Sequence, residues 1–281
     1  MDLSTPAIAV GTFAEVRKYW HVIKIGIQNT VVYRVNFLFR VLFGLIPLVA
    51  TLSLWRAIYS GGQTDVSGYS LPEMISYYLV VTIVDALTAV SDDDWQIAAD
   101  IKDGNISQFL IKPMDYLTYR LCLFGAGRFI YTVVAFVPVA LFILLQRQYF
   151  FLPGNVATLG WFMLSVVLTG LLQFFISYSL ALLAFWLLEV STLIFIVFAF
   201  EYIAGGHLFP LDILPPALAK ALFFTPFPYQ LFFPVSIYVG KISGSALYQG
   251  IVIQAGWVLG AYFLARFTWQ RGIRKYAAVG G

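Results

Sequence analysis

Charged residues are scarce in this sequence. Asp, Glu, Lys and Arg together account for 11% of its 281 residues, whereas soluble globular domains carry about a quarter. Hydrophobic residues make up 60% of the chain, and the mean hydropathy is +0.84. This composition excludes a water-soluble globular domain and predicts an all-α integral membrane protein, built as one domain over residues 1–281.

Cysteine and histidine are also scarce. The single cysteine, Cys122, lies in an apolar run, so an intrachain disulfide and a cysteine-based metal site are excluded. The two histidines, His21 and His207, fall on opposite sides of the membrane in the topology predicted below, so they cannot form a catalytic pair. We therefore expect no catalytic residue, no metal site and no cofactor held by this chain.

The nucleotide-binding pattern G-x-x-x-x-G-K-[S/T] is missing as well. Without that phosphate-binding loop the chain is not expected to hydrolyse ATP itself. The isoelectric point near 8.9 does not indicate a nucleic-acid partner, because the basic residues are sorted by side of the membrane.

Six segments are apolar enough to cross the hydrocarbon core, which takes about 20 residues. They are 36–59, 72–90, 121–145, 159–188, 191–206 (continuing to about 209) and 246–269, with only a tight turn at Glu189 between the fourth and the fifth. With a cytoplasmic N-terminus, 13 of the 17 Lys and Arg residues lie inside and four lie outside, namely Arg56, Arg147, Lys220 and Lys241. The bias predicts that both termini are cytoplasmic.

Residues 12–33, before the first crossing, have an amphipathic pattern. One helical stripe is apolar and consists of Phe13, Val16, Trp20, Ile23 and Ile27. A helix in the cytoplasmic headgroup layer fits this pattern, with Arg17 and Lys24 near anionic lipid. The alternative is an ordinary extension of the first transmembrane helix, because Val22 and Ile25 interrupt the polar face.

The stretch SDDDWQIAADIKDGN, residues 91–105, holds five of the 14 acids between two apolar runs. Ser91 and Asp94 have the spacing of a capping box, the first acids favour the positive end of a helix dipole, and Gly104 is a candidate left-handed stop. The pattern predicts a separate helix over 92–103, about 18 Å long. It either docks on a cytoplasmic partner or is a solvated loop helix.

Residues 205–240 hold six of the 12 prolines, in a segment too apolar for a surface loop and too broken to span. Pro215 and Pro216 suit the first turn of a helix, and Thr225 before Pro226 should end it. Irregular backbone at membrane depth must be buried in protein or face water. We expect helical pieces that dip into the outer leaflet or shield a cavity, with a peripheral cap as the alternative.

Two acids lie within predicted crossings, and an intramembrane acid is a functional-site hypothesis by default. Asp85 falls near the cytoplasmic end, where a hydrated or arginine-paired structural role is the alternative. Glu201 is deeper, and either a structural hydrogen bond or a polar translocation path would account for it. Tyr202 and His207 complete the candidate path, and His207 is interpreted as an interfacial hydrogen-bonding group rather than a metal ligand.

Small residues mark two crossings. Gly256 and Gly260 in the last, and Gly125 and Gly127 in the third, would let two helices approach closely. At these positions the sequence is compatible with packing within the subunit and with a dimer interface.

Two of these blocks resemble a known family. DIKDGNISQFLIKPMDYLTYR, residues 100–120, is similar to the I-x-x-G-x-[I/L]-x-x-x-L-x-[R/K]-P segment after the second transmembrane helix of ABC-2 type permeases. GGHLFPLDILPPAL and TPFPYQLFFPVSIYVG, within 205–240, resemble that family's outer re-entrant hairpin, G-x-x-F-P-x-x-x-x-P followed by P-F-x-Y…P. The likeness covers nearly the whole chain and is greatest to the uncharacterised-permease branch, often encoded as paired, non-identical subunits.

The resemblance implies a permease subunit of a bacterial ABC exporter in the inner (cytoplasmic) membrane. Its partners would be separate ABC ATPase subunits, which hold ATP and Mg²⁺, a second permease subunit (identical or homologous), and membrane lipids. The helix at 92–103 would be the coupling helix, seated in an ATPase groove through Asp92, Asp93, Asp94, Trp95, Ile97, Ala98, Ile101, Lys102, Asp103 and Gly104. The outer hairpin, residues 207–240, would be built on Phe209, Pro210, Pro215, Pro216, Pro226, Phe227, Tyr229 and Pro234.

Abundant aromatic surface and few intramembrane charges favour a lipid-like or amphiphilic cargo. The density of acids at 92–94 indicates a basic rim on the ATPase groove. An ion-coupled secondary transporter that uses Asp85 or Glu201 as a proton relay is the first alternative. A membrane-embedded enzyme is the second, and it lacks a convincing nucleophile.

Overall fold

The structure is a computed structural model that describes residues 7–62, 64–90 and 93–276, with side chains from residue 16 onwards apart from those of 93 and 94. Within that part the chain is helical, and the one extended pairing is an isolated bridge between Val66 and Tyr69. The α-helices are α1 (Ala7–Val31), α2 (Arg34–Ser60), α3 (Leu71–Thr88), α4 (Asp93–Lys102), α5 (Ser107–Leu110), α6 (Tyr116–Leu145), α7 (Val156–Ala181), α8 (Ser191–Ala204), α9 (Pro216–Phe223), α10 (Phe232–Val239) and α11 (Gly244–Lys275). Three 3-10 turns occupy Leu182–Phe185, Leu211–Ile213 and Phe227–Tyr229.

Among the described residues, five helices are long and apolar enough to cross a membrane, so this is a multi-pass membrane protein. They are α2, α3, α6, α7 with the 3-10 turn that continues it, and α11. Each lies where a crossing was predicted, and their ends differ from the prediction by a few residues. Asp115 and Asn155 cap the starts of α6 and α7.

The predicted crossing at 191–206 is the exception. Its helix, α8, is apolar but ends at Ala204 after 14 residues, a length of about 21 Å against the roughly 30 Å of a hydrocarbon core. Gly205 and Gly206 follow, and Gly206 has a φ of 95°, a left-handed conformation that an α-helix does not continue. A layout of six full-length spanning helices is therefore not confirmed.

Contacts between loops show which segments share an end of the bundle. At one end the Lys18 ammonium donates to the Pro113 carbonyl at 2.6 Å, and the Tyr276 hydroxyl donates to the Gly104 carbonyl at 2.9 Å. These bonds bring α1, α4 and the last turn of α11 together, and we call this the α4 end.

The opposite end is built around the segment between α8 and α11. There the Lys241 ammonium lies 2.7 Å from a carboxylate oxygen of Glu73, and the Tyr69 hydroxyl donates to Asp212 at 2.8 Å. The start of α3 and the 205–243 segment therefore meet, and we call this the hairpin end.

α7 lies at the centre, in contact with α3, α4, α10 and α11. A buried polar cluster joins it to α11: the Gln254 amide donates to the Ser165 carbonyl at 3.1 Å, to the Thr169 hydroxyl at 3.1 Å and to the Tyr229 carbonyl at 2.8 Å. Since buried amide groups are costly unless they are bonded, this cluster fixes the register of α7, α11 and the 205–243 segment.

The predicted amphipathic helix is present as α1, which packs along the start of α6. Val22 and Gly26 are buried there, and a Cβ at Gly26 would stand 2.9 Å from that of Ala126. Val16 and Trp20, by contrast, are exposed, so the buried stripe is rotated from the predicted one; the side chain of Phe13 lies outside the described residues. The location of α1 in the headgroup layer stays a prediction.

Candidate functional site

The acidic stretch forms a helix as predicted, and its two faces have different environments. α4 begins at Asp93, whereas Ser91 and Asp92, and with them the predicted capping box, lie outside the described residues. Ile97, at 1% exposure, together with Ala98 and Ile101 is buried, and the helix packs against α7 and the 182–185 turn. The apolar face of α4 is thus anchored in the chain's own core.

The other face of α4 is open. Trp95 is 42% exposed, and Lys102 and Asp103 are exposed as well, while the side chains of Asp93 and Asp94 are not described. Gly104 has a φ of 77°, the left-handed stop that the sequence predicts. Among the coupling candidates whose side chains are described, Ile97, Ala98 and Ile101 form an anchoring set, and Trp95, Lys102 and Asp103 form an exposed set.

Ion pairs that were not predicted from the sequence hold the segment after α4 in place. The Arg120 guanidinium, 2% exposed, lies 3.5 Å from a carboxylate oxygen of Asp100. Burial raises the pKa of Asp100 above its ordinary value, and the cation offsets part of that effect. The sequence signal for this ion pair was Arg120 at the end of the motif-bearing stretch 100–120. Its partner, Asp100, could not be identified from the spacing of the residues.

Asp115 joins the start of α6 to α11. Its side chain accepts from the Thr118 amide at 3.0 Å, which is an N-cap interaction, and lies 2.5 Å from the Arg266 guanidinium. Burial alone would raise the pKa of Asp115, but the bonds from Thr118 and Arg266 together hold it below its ordinary value.

A cavity of about 1170 Å³ lies between α1, α4 and the first half of α6. Trp95, Gln96 and Asp100 of α4 and Arg128 of α6 line it. α4 therefore has packed core on one side and open volume on another.

The proline-rich segment folds as short helical pieces, and only part of it is peripheral. Pro215 and Pro216 start α9 and are exposed, Phe209, Pro226 and Phe227 are half-buried, and Pro210, Tyr229 and Pro234 are buried. In α10, every residue from Phe232 to Tyr238 is buried, and the last one, Val239, is half-buried. The segment thus contributes to the core as well as to the surface of the hairpin end.

The end of α8 is held by hydroxyl groups from α3. Tyr77 donates to the Gly206 carbonyl at 2.7 Å, and Tyr78 donates to the Leu208 carbonyl at 2.6 Å. The Phe232 amide donates to the Gly205 carbonyl at 2.9 Å. Backbone groups freed by the end of the helix are therefore satisfied inside the protein, which is what irregular backbone at membrane depth requires.

This break places His207 against Asp85. The His207 Nε2 lies 3.2 Å from Asp85 Oδ1, and the imidazole stacks on the Tyr202 ring with centroids 4.6 Å apart. The predicted topology, in which His207 and Asp85 lie near opposite faces of the membrane, is wrong for this pair. Because α8 is short, the chain after Gly206 lies beside α3, with His207 next to the last turn of that helix.

All four residues of the candidate translocation path line one pocket. Asp85, Glu201, Tyr202 and His207 surround a volume of about 220 Å³ between α3, α7 and α8. Within the described residues no group of three or more His, Cys, Asp or Glu side chains is placed to hold a metal ion.

Two polar residues of the pocket were not predicted from the sequence. Gln173 and Ser177 of α7 line the pocket, and they are 7% and 3% exposed. Their side-chain oxygens, Gln173 Oε1 and Ser177 Oγ, have no hydrogen-bond partner. Their spacing of four residues, which puts both on one face of an otherwise apolar helix, was the signal available in the sequence.

Gly125, Gly256 and Gly260 are exposed, and Gly127 lines the cavity between α1, α4 and α6. A Cβ at Gly256, Gly260, Gly125 or Gly127 would meet nothing within 4 Å. Close packing within the subunit, one of the two alternatives, is therefore not what these glycines serve.

The sequence matches the family model of the ABC-2 family transporter proteins over residues 45–280. The matched region begins within α2 and includes α4, the pocket and the proline-rich segment. A comparison with curated proteins finds no match.

Proposed function

This chain belongs to the ABC-2 transporter family and is a membrane subunit of an ABC transporter, and we propose that it is the permease subunit of an exporter. In this proposal it forms a translocation path with a second permease subunit, identical or homologous. Separate ATPase subunits bind ATP and Mg²⁺ and drive the cycle, while this chain has no catalytic role.

The observation that carries the proposal is the two-sided environment of α4. Ile97 and Ile101 hold one face of it in the core, while Lys102 and Asp103 leave the other face polar and exposed. A helix that only filled a loop would not need three buried anchors, and a helix that only packed would not need an acidic first turn. Both features suit a coupling helix that receives movement from a protein bound on its exposed face.

A physical connection leads from α4 to the pocket. Ala89 and Val90 line the pocket, and α4 begins three residues later, at Asp93. The anchored face of α4 also packs on α7, which carries Gln173 and Ser177. A displacement of α4 into the open volume beside it would therefore pull on two walls of the pocket.

The proposed topology has six crossings, the fifth made of α8 and the irregular residues that follow it. The α4 end then faces the cytoplasm of a bacterial cell, with both termini, because the basic residues concentrate there. Thiol labelling of single cysteines at residues 65 and 103, in a Cys122→Ser background, tests this: reagent outside intact spheroplasts should reach only residue 65. Labelling of residue 103 from outside would reverse the topology.

The cargo is proposed to be lipid-like or amphiphilic. Large apolar side chains of α8, among them Phe195, Ile196 and Phe200, are exposed at the face beside the pocket residues Glu201 and Tyr202. Apolar surface next to a small polar pocket suits a molecule with a chain and a head group.

Co-purification with the ATPase tests the role of α4. Reversing the charges of Asp92, Asp93 and Asp94 to Lys should abolish recovery of the ATPase with the tagged permease, because a basic rim on its groove would then be repelled. The control is Asp65→Lys, an exposed acid at the hairpin end, which should co-purify as the wild type does. Undiminished recovery by the triple variant would refute the electrostatic contact.

The secondary-transporter alternative has one observation in its favour. Asp85 and His207 form a titratable pair inside the helix bundle, the type of group that proton relays use. Uptake into vesicles that carry the purified chain alone separates the two: transport driven by a proton gradient without ATP supports the relay, and strict dependence on ATPase and ATP supports the exporter.

A further inference from the structure

We propose that the pocket between α3, α7 and α8 binds a primary ammonium group, the cationic head of an amine-bearing cargo. This inference rests on the proposed function, since it names the chemical class of what the permease handles. Its support comes from the charge of the pocket, its unpartnered acceptors and its size.

The pocket carries net negative charge. Asp85 and Glu201 contribute two carboxylates, and His207, even when it is protonated, contributes only one positive charge. Among the described residues no lysine or arginine lines the pocket. Because charges interact strongly where water is excluded, a pocket with this balance attracts a cation and repels a phosphate or carboxylate head group.

Hydrogen-bond acceptors without partners meet in the same place. Gln173 Oε1 and Ser177 Oγ are buried and unbonded, and leaving such an atom unpaired is unfavourable because its hydration is lost without replacement. An amide oxygen can only accept, and a primary ammonium offers three N–H donors. One such group could donate to Gln173, Ser177 and a carboxylate at the same time. A metal ion would instead be held by dedicated His, Asp and Glu ligands.

The volume selects a head group rather than a whole molecule. About 220 Å³ is below the roughly 300–1,000 Å³ typical of pockets that enclose drug-sized ligands. Ile176 and Phe198 supply apolar wall beside the polar groups, and Tyr202 is half exposed, so an attached hydrocarbon chain can leave toward the lipid-facing surface.

Binding is measured on the full-length chain in the neutral detergent dodecyl maltoside, by scintillation proximity with radiolabelled dodecylammonium. Unlabelled competitors define the chemistry. Dodecyl phosphate should compete at least about tenfold more weakly because of its charge, and dodecyltrimethylammonium about tenfold more weakly because it has no N–H donor. Equal competition by dodecyl phosphate would overturn the proposal.

A further competitor, butylammonium, identifies the source of the amine. If it competes as well as dodecylammonium, the site takes free soluble amines; if it competes far more weakly, the site takes amphiphiles. Both results support an ammonium site.

Matched variants keep the test specific. Glu201→Gln and Gln173→Leu should each weaken dodecylammonium binding by about tenfold, the loss of one charge-assisted hydrogen bond. Glu189→Gln and Gln249→Leu remove the same groups from exposed positions and should bind as the wild type does. Unchanged binding in both pocket variants would overturn the proposal, and unchanged elution and melting of Glu201→Gln, which is isosteric, excludes misfolding as the cause.

The two proposals fail separately. Co-purification with the ATPase depends on α4 and not on the pocket, so Glu201→Gln should retain it. If the wild-type chain binds dodecylammonium but no ATPase co-purifies with it, only the exporter proposal fails. If the ATPase co-purifies but dodecylammonium does not bind, only the ammonium site fails.

Discussion

His207 Nε2 lies 3.2 Å from Asp85 Oδ1, although 122 residues separate the two in the sequence. The contact exists because α8 ends at Ala204 and the glycine pair after it turns the chain toward α3. The position of the pocket thus depends on where one helix stops.

Breaking this pair should destabilise the protein. His207→Leu leaves Asp85, whose side chain is 35% exposed, without its partner, and we expect a loss of about 1–3 kcal/mol, less than for a fully buried pair. Thermal unfolding in detergent, followed for Asp85→Leu, His207→Leu and the double variant, measures the coupling. Strictly additive losses would mean that the two side chains do not interact.

The hydroxyl of Tyr77 should matter more than its ring. Tyr77→Phe leaves the buried Gly206 carbonyl without its donor, at a cost of about 1–3 kcal/mol, and should loosen the segment that carries His207. The melting temperature should fall, while Tyr248→Phe, an exposed tyrosine on α11, should melt as the wild type does. Equal melting of the two variants would show that the α3 hydroxyl does not hold the break.

Replacing two glycines of α11 by alanine should affect stability at one position and not at the other. A Cβ at Gly250 would stand 2.1 Å from the Phe233 ring, whereas at Gly256 it would meet nothing within 4 Å. Gly250→Ala should therefore cost about 1–3 kcal/mol through overpacking, and Gly256→Ala should leave the stability of the monomer unchanged. Thermal unfolding of the purified variants compares them. If only Gly256→Ala lost stability, the face of α11 that packs on the protein would be the one carrying Gly256 and not the one carrying Gly250.

Acid should remove the contribution of Asp115. The folded state holds the pKa of Asp115 below its ordinary value, so its stabilisation is present above the unfolded pKa of about 3.9 and is lost as the pH falls through the folded pKa. Asp115→Asn should melt at a lower temperature than the wild type near neutral pH. The difference should shrink once the pH is below about 4. A difference that is constant with pH would mean that the carboxylate charge plays no part.

Local features of the fold could be predicted from local sequence. A polar stretch between two apolar runs indicated α4, and Gly104 indicated where that helix ends. Pro215 and Pro216 indicated the start of α9. These signals work because caps, prolines and glycines act within one turn of backbone. The true length of α8 was not predicted, because hydropathy continues past Ala204 to Phe209 and only the conformation at Gly206 ends the helix.

The pocket was predicted only in part. Asp85 and Glu201 stood out because acids are rare in apolar segments, but their placement in one pocket depends on how α3 and α8 pack. Gln173 and Ser177 were overlooked, because uncharged polar residues are common in membrane helices and only burial without a partner distinguishes these two.

Composition and periodicity alone determined that this protein crosses a membrane in several helices, and hydrophobic run length and capping chemistry fixed where most of them lie. The tertiary structure decided which polar groups meet: Asp85 with His207, Arg120 with Asp100, and Gln254 with the loop at Tyr229. The reason is physical. Burial in apolar surroundings is a property of each segment, whereas a hydrogen bond between distant residues depends on the angle and depth at which two helices pack, and no single segment encodes either.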